Sequence, residues 1–386
     1  MPEVKVNRRA AGRIASGHPW IFESDVLDAH GAQSGDAVKV VDPGGRALGT
    51  AHFSDASRIR LRLLSHQVEE IGPAFYAARL KAAESYRRRV VSDTDAYRAV
   101  HGEADLLPAL VVDRYADYLV LQTLDQGMDR ARDAIVAALV DLYSPRGIVA
   151  RNDAPVRAKE SLPLESAVVH GELPETVEIR MNGLRLHADL LRGQKTGVFL
   201  DQRENYLAAA RYAHGRVLDC FTSTGGFALH LAASCEAVEA VDSGSAALAM
   251  AGRNAALNGI QNIEFREADV FTLLAAYSSA RRQFSTVILD PPAFAKSRGT
   301  VEGAIRGYKE INLRALRLLD PGGILITCSC SHHLSEAALL EIVAEASLDA
   351  GRQLRVLERR TQAQDHPILL TVPETHYLKC LILEVM

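Results

Sequence analysis

From Arg216 onward the chain alternates short apolar runs with helical stretches, and successive runs end on Asp219, Asp242, Asp269 and Asp290. Val217-Leu218-Asp219-Cys220-Phe221 reads as a strand, Thr222-Ser223-Thr224-Gly225-Gly226 as a loop, and Phe227 to Ala233 as a helix. Ala237 to Asp242 is the next strand, and the helix opened by Ser245 stops at Asn258-Gly259, with Gly as its terminator. Ile263-Glu264-Phe265, Thr286 to Asp290, and the run that follows Pro321-Gly322-Gly323 continue the pattern. Strands buried on both faces read as unbroken apolar runs, and βαβ units cross over right-handedly. The expectation is a doubly wound parallel sheet, whose ligands bind outside the carboxyl ends of its strands.

At 386 residues the chain is too long for one ordinary core, and its 48% hydrophobic and 24% charged residues are those of a folded protein. A formal charge of −4 leaves any nucleic-acid contact to local basic patches. No apolar stretch reaches membrane-span length, and Met1-Pro2-Glu3-Val4-Lys5 is no signal peptide. Five Cys in such a chain point to free thiols and a cytoplasmic location. Cys328-x-Cys330 has neither the spacer nor the second pair of a zinc knuckle, so no metal site is expected.

Residues 1–70 carry closely spaced turn signals, which predict a small β barrel. Alternation in Arg58-Ile59-Arg60-Leu61-Arg62 places three guanidinium groups on one strand face, either a solvated face or a phosphate-contacting ridge. Residues 71–175 read as an α+β middle domain, with a helix from 72 to about 100, a hairpin from Ala109 to Gln122, a helix from Met128 and a strand at Gly147. Residues 176–386 open with a hairpin turned by Asn182-Gly183, the preferred type I′ pair.

The loop after Asp219 is a small-ligand cradle, because Gly225-Gly226 admits a ligand to the backbone and a helix follows. It lacks the G-x-G-x-x-G of dinucleotide sites and the Lys of a P-loop. Asp242 can take both hydroxyls of a ribose, and Asp269 can reach an adenine amine. Each Asp alone reads more readily as a helix cap; together they describe an adenosine cofactor without pyrophosphate, and S-adenosylmethionine fits. Asp290-Pro291-Pro292-Ala293-Phe294 offers a carboxylate and a ring to a flat heterocycle. Cys330, at the end of the next strand, is a nucleophile suited to carbon-6 of cytosine, which would make carbon-5 able to take a methyl group. Alternation turns Cys328 and Cys330 the same way, so spacing alone does not choose between them.

The chain resembles the RlmI-type 23S ribosomal RNA cytosine-C5 methyltransferases over nearly its whole length. The resemblance rests on His18-Pro19-Trp20-Ile21-Phe22, Lys195-Thr196-Gly197-Val198-Phe199-Leu200-Asp201-Gln202-Arg203, Thr224-Gly225-Gly226-Phe227 and Leu289-Asp290-Pro291-Pro292. Arg306-Gly307-Tyr308-Lys309-Glu310-Ile311-Asn312, Ser329-Cys330-Ser331, Asp365-His366-Pro367 and Pro373 to Lys379 complete it. It implies a PUA-like β barrel, an α+β middle domain and a C-terminal Rossmann-like class I methyltransferase domain. It implies cofactor contacts from Lys195, Thr196, Gln202, Asp219, Phe221, Thr224, Gly225, Gly226, Asp242, Ser243, Asp269, Val270 and Asp290. It also selects Cys330 as nucleophile; the residues themselves offer Asp290 as its catalytic partner and Pro291, Pro292, Phe294, Arg58, Arg60 and Arg62 as candidate substrate contacts. The expected partner is 23S ribosomal RNA, with a homodimer left open. Two other readings stand beside it. An amino methyltransferase would use an Asp-Pro-Pro-aromatic tetrad, which Ala293 interrupts, and would leave Cys330 idle; a non-enzymatic RNA-binding factor would not need the intact Gly225, Gly226, Asp242 and Asp290.

Overall fold

The structure, a computed structural model, describes residues 1–193, 197–294 and 301–386. They form two compact units: residues 1–180, 188–198 and 364–375 in the first, and 181–187, 199–363 and 376–386 in the second.

The first unit holds two sheets. In the six-stranded one, the order from edge to edge is Trp20–Phe22, Ile59–Ser65, Ala47–Phe53, Ala37–Val41, Glu3–Val6 and Val26–Asp28. Alternation turns Val4, Val6, Val38, Val40 and Leu61 into one apolar cluster with Ile14 of the Arg8–Ala15 helix. The five-stranded sheet runs Glu165–Gly171, Gly147–Asn152, Tyr118–Thr123, Leu110–Tyr115 and Ala96–His101. Leu80 of the Pro73–Val90 helix and Ile135 and Leu139 of the Arg132–Tyr143 helix pack on it. The long helix stops at Val90, ten residues short of the sequence expectation of about 100. Asp93 takes a left-handed φ of 53°, and the Thr94 hydroxyl bonds the Ala96 backbone, so the chain re-enters as the Ala96–His101 strand. The hairpin strands Val177–Met181 and Leu184–Ala188 form as the Asn182-Gly183 pair predicts, with φ of 52° and 81° at the turn.

The second unit is the doubly wound sheet. Its order is Ile263–Glu267, Ala237–Asp242, Arg216–Cys220, Phe284–Leu289, Leu319–Ser329, Lys379–Val385 and Leu354–Arg360. The first five run parallel, and the last two are antiparallel to their neighbours. Leu218, Val241, Val287 and Leu325 are fully or nearly fully buried against Tyr308, Ile311 and Leu316 of the Val301–Leu318 helix. The Pro321-Gly322-Gly323 turn lies inside a longer strand: Gly322 sits at φ 78°, and the pairing register shifts between Phe284 and Thr286. The parallel order reverses at Arg216–Cys220 and Phe284–Leu289, so the loops after Cys220 and Leu289 flank the crevice where such sheets bind ligands.

Candidate active site

The loop after the Arg216–Cys220 strand holds Phe221 and Ser223 at φ 63° and 51°, and Gly225 at 88°. Left-handed backbone at two non-glycine residues costs roughly 1–3 kcal/mol each and persists only when the surroundings enforce it. Two aspartates enforce it here. Asp219 Oδ2 accepts from the Thr222 hydroxyl at 2.6 Å and from the Ala228 N–H at 3.0 Å. Asp242 Oδ2 accepts from the Ser223 N–H at 2.9 Å, while Oδ1 takes the Gly244 N–H at 2.8 Å. Gly226 is required by close approach, because an added Cβ would overlap the Tyr206 hydroxyl. Tyr206 is in turn stacked on His230 at 4.8 Å, and burial pulls His230 down to about 4. His230 is therefore neutral, with Nδ1 against the Gly226 carbonyl at 2.7 Å.

The second oxygen of Asp219, Oδ1, is buried with no hydrogen-bond partner among the described residues. Burial raises this carboxyl to about 7. An unpaired buried acceptor is costly, and a cationic donor placed beside it would satisfy the oxygen and favour its charge. The ammonium of a methionine moiety is such a donor. Asp242 is half-buried, and its oxygens retain lone pairs for ribose hydroxyls beside the exposed Ser243. Thr224 and Phe221 are half-buried on the same loop. Asp269 is exposed and caps the Val270–Ser279 helix, with Oδ1 taking the Thr272 N–H and hydroxyl, both at 2.8 Å. Those bonds hold its carboxyl below the usual range and leave Oδ2 for an adenine amine. The Val270 side chain belongs to the core, so only its backbone N–H is offered to a ligand. The Asp219 vacancy and the Gly225-Gly226 cradle fit S-adenosylmethionine. Lys195 and Thr196 lie outside the described residues.

Asp290 leaves the Phe284–Leu289 strand half-buried, and its Oδ2 accepts from Gln202 Nε2 at 3.0 Å. Gln202 Oε1 is itself held by Asn205 Nδ2 at 2.6 Å. Gln202, expected to touch the cofactor, thus has a partner that its sequence position did not reveal. Pro291 is buried and Pro292 exposed. Phe294, expected to stack on the base, is half-buried. Its ring packs on Tyr308 at 4.7 Å and Phe271 at 5.9 Å.

The two thiols separate clearly. Cys328 is the next-to-last residue of its strand, fully buried and opposite Cys380; burial and the neighbouring thiol push it well above the ordinary thiol range. Cys330 lies one residue past the end of the strand and is half-buried, so strand alternation no longer applies to it. Its backbone neighbours are fixed on both sides. The Ser329 hydroxyl bonds Tyr308 Oη at 2.9 Å, Tyr308 Oη lies 3.2 Å from Ser331 Oγ, and Lys379 Nζ donates to the Ser331 carbonyl at 2.7 Å. Tyr308 and Lys379 appeared in the sequence only as letters in longer motifs. The available signal for Lys379 was a lone cation opening the apolar run Cys380-Leu381-Ile382-Leu383.

The expected ridge of three arginines is not formed. Arg58 is exposed, but Arg60 pairs with Glu23 at 2.8 Å, and Arg62 is 6% exposed and pairs with Glu160 at 2.8 Å and Asp125 at 3.6 Å. A buried, neutralised guanidinium is a structural group, so Arg62 is not a phosphate contact. Among the described residues, no helix is long and apolar enough to cross a membrane.

Residues 4–66 match the PUA-like domain family, and residues 156–382 match the S-adenosylmethionine-dependent methyltransferase family. A ribosomal RNA large subunit methyltransferase I from Tolumonas auensis is 42% identical over 95% of this chain and 94% of its own. The chain belongs to that family. The Shewanella amazonensis member is also 42% identical, over 95% of both chains. The fold of this family member is that of the crystal structure of SMU.776 complexed with SAH, with a TM-score of 0.87 over 100% of both chains at 21% identity. As a family member the protein is an S-adenosylmethionine-dependent methyltransferase, with an N-terminal PUA-like domain and a C-terminal Rossmann-like domain.

Proposed function

We propose that the protein methylates carbon-5 of a cytosine in 23S ribosomal RNA, with Cys330 as the covalent nucleophile. The observation that carries this reading is the half-buried Cys330 at the open end of its strand, beside the strand that ends on Asp290. Bound S-adenosylmethionine supplies an electrophilic methyl group. The Cys330 sulfur adds to carbon-6, and the Asp290 carboxyl hydrogen-bonds the ring at nitrogen-3 and offsets the charge that develops there. Carbon-5 would then take the methyl group as that group's bond to the cofactor sulfur breaks, leaving S-adenosylhomocysteine. Loss of the carbon-5 proton and departure of the Cys330 sulfur restore the aromatic ring. Asp219 and Asp242 hold the cofactor, and Gln202 keeps Asp290 aimed into the cleft. That the relatives are ribosomal RNA large subunit methyltransferases supports the choice of RNA.

Purified protein, labelled S-adenosylmethionine and deproteinised 23S RNA, followed by nucleoside analysis, test it. The expected product is 5-methylcytosine, absent with Cys330→Ala. A methylated exocyclic amine, or turnover by Cys330→Ala, would replace this reading with the amino methyltransferase.

A further inference from the structure

We propose that Lys379 is a positioning residue for this reaction: its ammonium holds the Cys330 side chain as a thiolate. The proposal rests on the reading of Cys330 as nucleophile. Lys379 opens the Lys379–Val385 strand and stands opposite Ser329 in the antiparallel register. It is 3% exposed, an unusual place for an ammonium. Nζ donates to the Ser331 carbonyl at 2.7 Å and to the Tyr377 carbonyl at 2.9 Å, so it bridges the backbone on the far side of Cys330. Both partners are neutral. Among the described residues no carboxylate lies within ion-pair distance of Lys379.

A buried cation without a counter-ion is unfavourable, and here burial draws the ammonium down to about 8. A Cys330 thiolate would act in the opposite direction on it. The stabilisation is mutual, since a cation beside a thiol favours its ionised form. Three other groups near the pair do not supply this charge. Asp290 is acidic, Tyr308 contributes a neutral hydroxyl, and Glu336 acts on Lys379 while it also pairs with Arg359. If Lys379 served only to clamp two carbonyls, an uncharged donor would do as well. The placement of a charge at this point is what the thiolate explains.

The readout is the pH dependence of iodoacetamide alkylation at Cys330, followed by mass spectrometry in full-length protein carrying Cys235→Ser. That background removes the other half-buried thiol, and Cys220, Cys328 and Cys380 are buried. The Cys330 profile is expected to have its midpoint below the ordinary thiol value of about 8.5. Lys379→Met should raise that midpoint by about one unit and slow alkylation at neutral pH roughly tenfold, with Lys379→Arg close to wild type. A wild-type midpoint at or above the ordinary value overturns the proposal without any variant. So does a Lys379→Met profile that superimposes on wild type. Methylation by Cys330→Ala is measured in parallel: persistent turnover removes the nucleophile reading, whereas the alkylation profile alone decides what Lys379 does to the thiol.

Discussion

Gln202 and Asp290 are joined by a 3.0 Å hydrogen bond between the carboxamide nitrogen and one carboxylate oxygen. Gln202 is 2% exposed and tied to Asn205, so this bond fixes which way Asp290 faces. A hydrogen bond to a charged group is worth about 1.5–3 kcal/mol. Gln202→Ala should therefore lower kcat/KM for methylation by roughly one to two orders of magnitude. Steady-state kinetics on RNA check this, and a variant with wild-type kcat/KM would show that Asp290 needs no such support.

Asp219 should make cofactor binding depend on pH. Its carboxyl is raised by burial to about 7 in the folded chain, against about 3.9 in an unfolded one. A raised pKa means the folded state holds the extra proton between those values. This group's contribution to stability is full below about pH 4 and is lost as pH rises through about 7. A cationic ligand beside Oδ1 prefers the ionised form, so S-adenosylmethionine affinity should rise as pH passes through about 7. Calorimetry across this range should show the rise in wild type and a flat response in Asp219→Asn. A rise that survives in the variant would assign the titration to another group.

Arg62 should matter for stability and not for RNA. Breaking a buried ion pair leaves uncompensated charge and costs about 3–5 kcal/mol. Arg62→Ala, which strands Glu160 and Asp125, should lower the denaturant midpoint clearly. The salt dependence of RNA binding should keep its slope, since no phosphate contact is lost. A shallower slope in a stably folded Arg62→Ala protein would restore the phosphate role.

Cys328 and Cys330 should behave oppositely. RNA carrying 5-fluorocytosine at the target should trap a covalent adduct, because fluorine does not leave as a proton does. The adduct is expected with wild type and Cys328→Ala, and not with Cys330→Ala. Cys328→Ala should cost only packing, on the order of 1 kcal/mol. An adduct that requires Cys328 would assign the attack to the buried thiol.

The doubly wound sheet was legible because strands buried on both faces leave continuous apolar runs, and Asp219, Asp242 and Asp290 mark their ends. The glycine loop was legible because few residues tolerate its backbone. The side-chain roles were not. Arg62 alternates like a surface residue, and the carboxylates that draw it inward, Asp125 and Glu160, are distant in sequence. Phe294 looks like a free ring until the Val301–Leu318 helix brings Tyr308 beneath it. The choice between the two thiols turned on where the strand ends, and alternation carries no information about that. Gln202 meets Asp290 only through the folded sheet.

Residues 364–375 lie between two strands of the second unit yet belong to the first. Within that unit, Asp365 accepts the Arg98 N–H at 2.8 Å, and its carbonyl accepts Arg87 Nη2 at 2.8 Å. Arg87 is 1% exposed. A gene truncated after the first 180 codons would leave that arginine without one of its partners. A recombination event that exchanged the amino-terminal part alone would separate the same groups. The two units are therefore interleaved along the chain, and separating them requires several coordinated breakpoints.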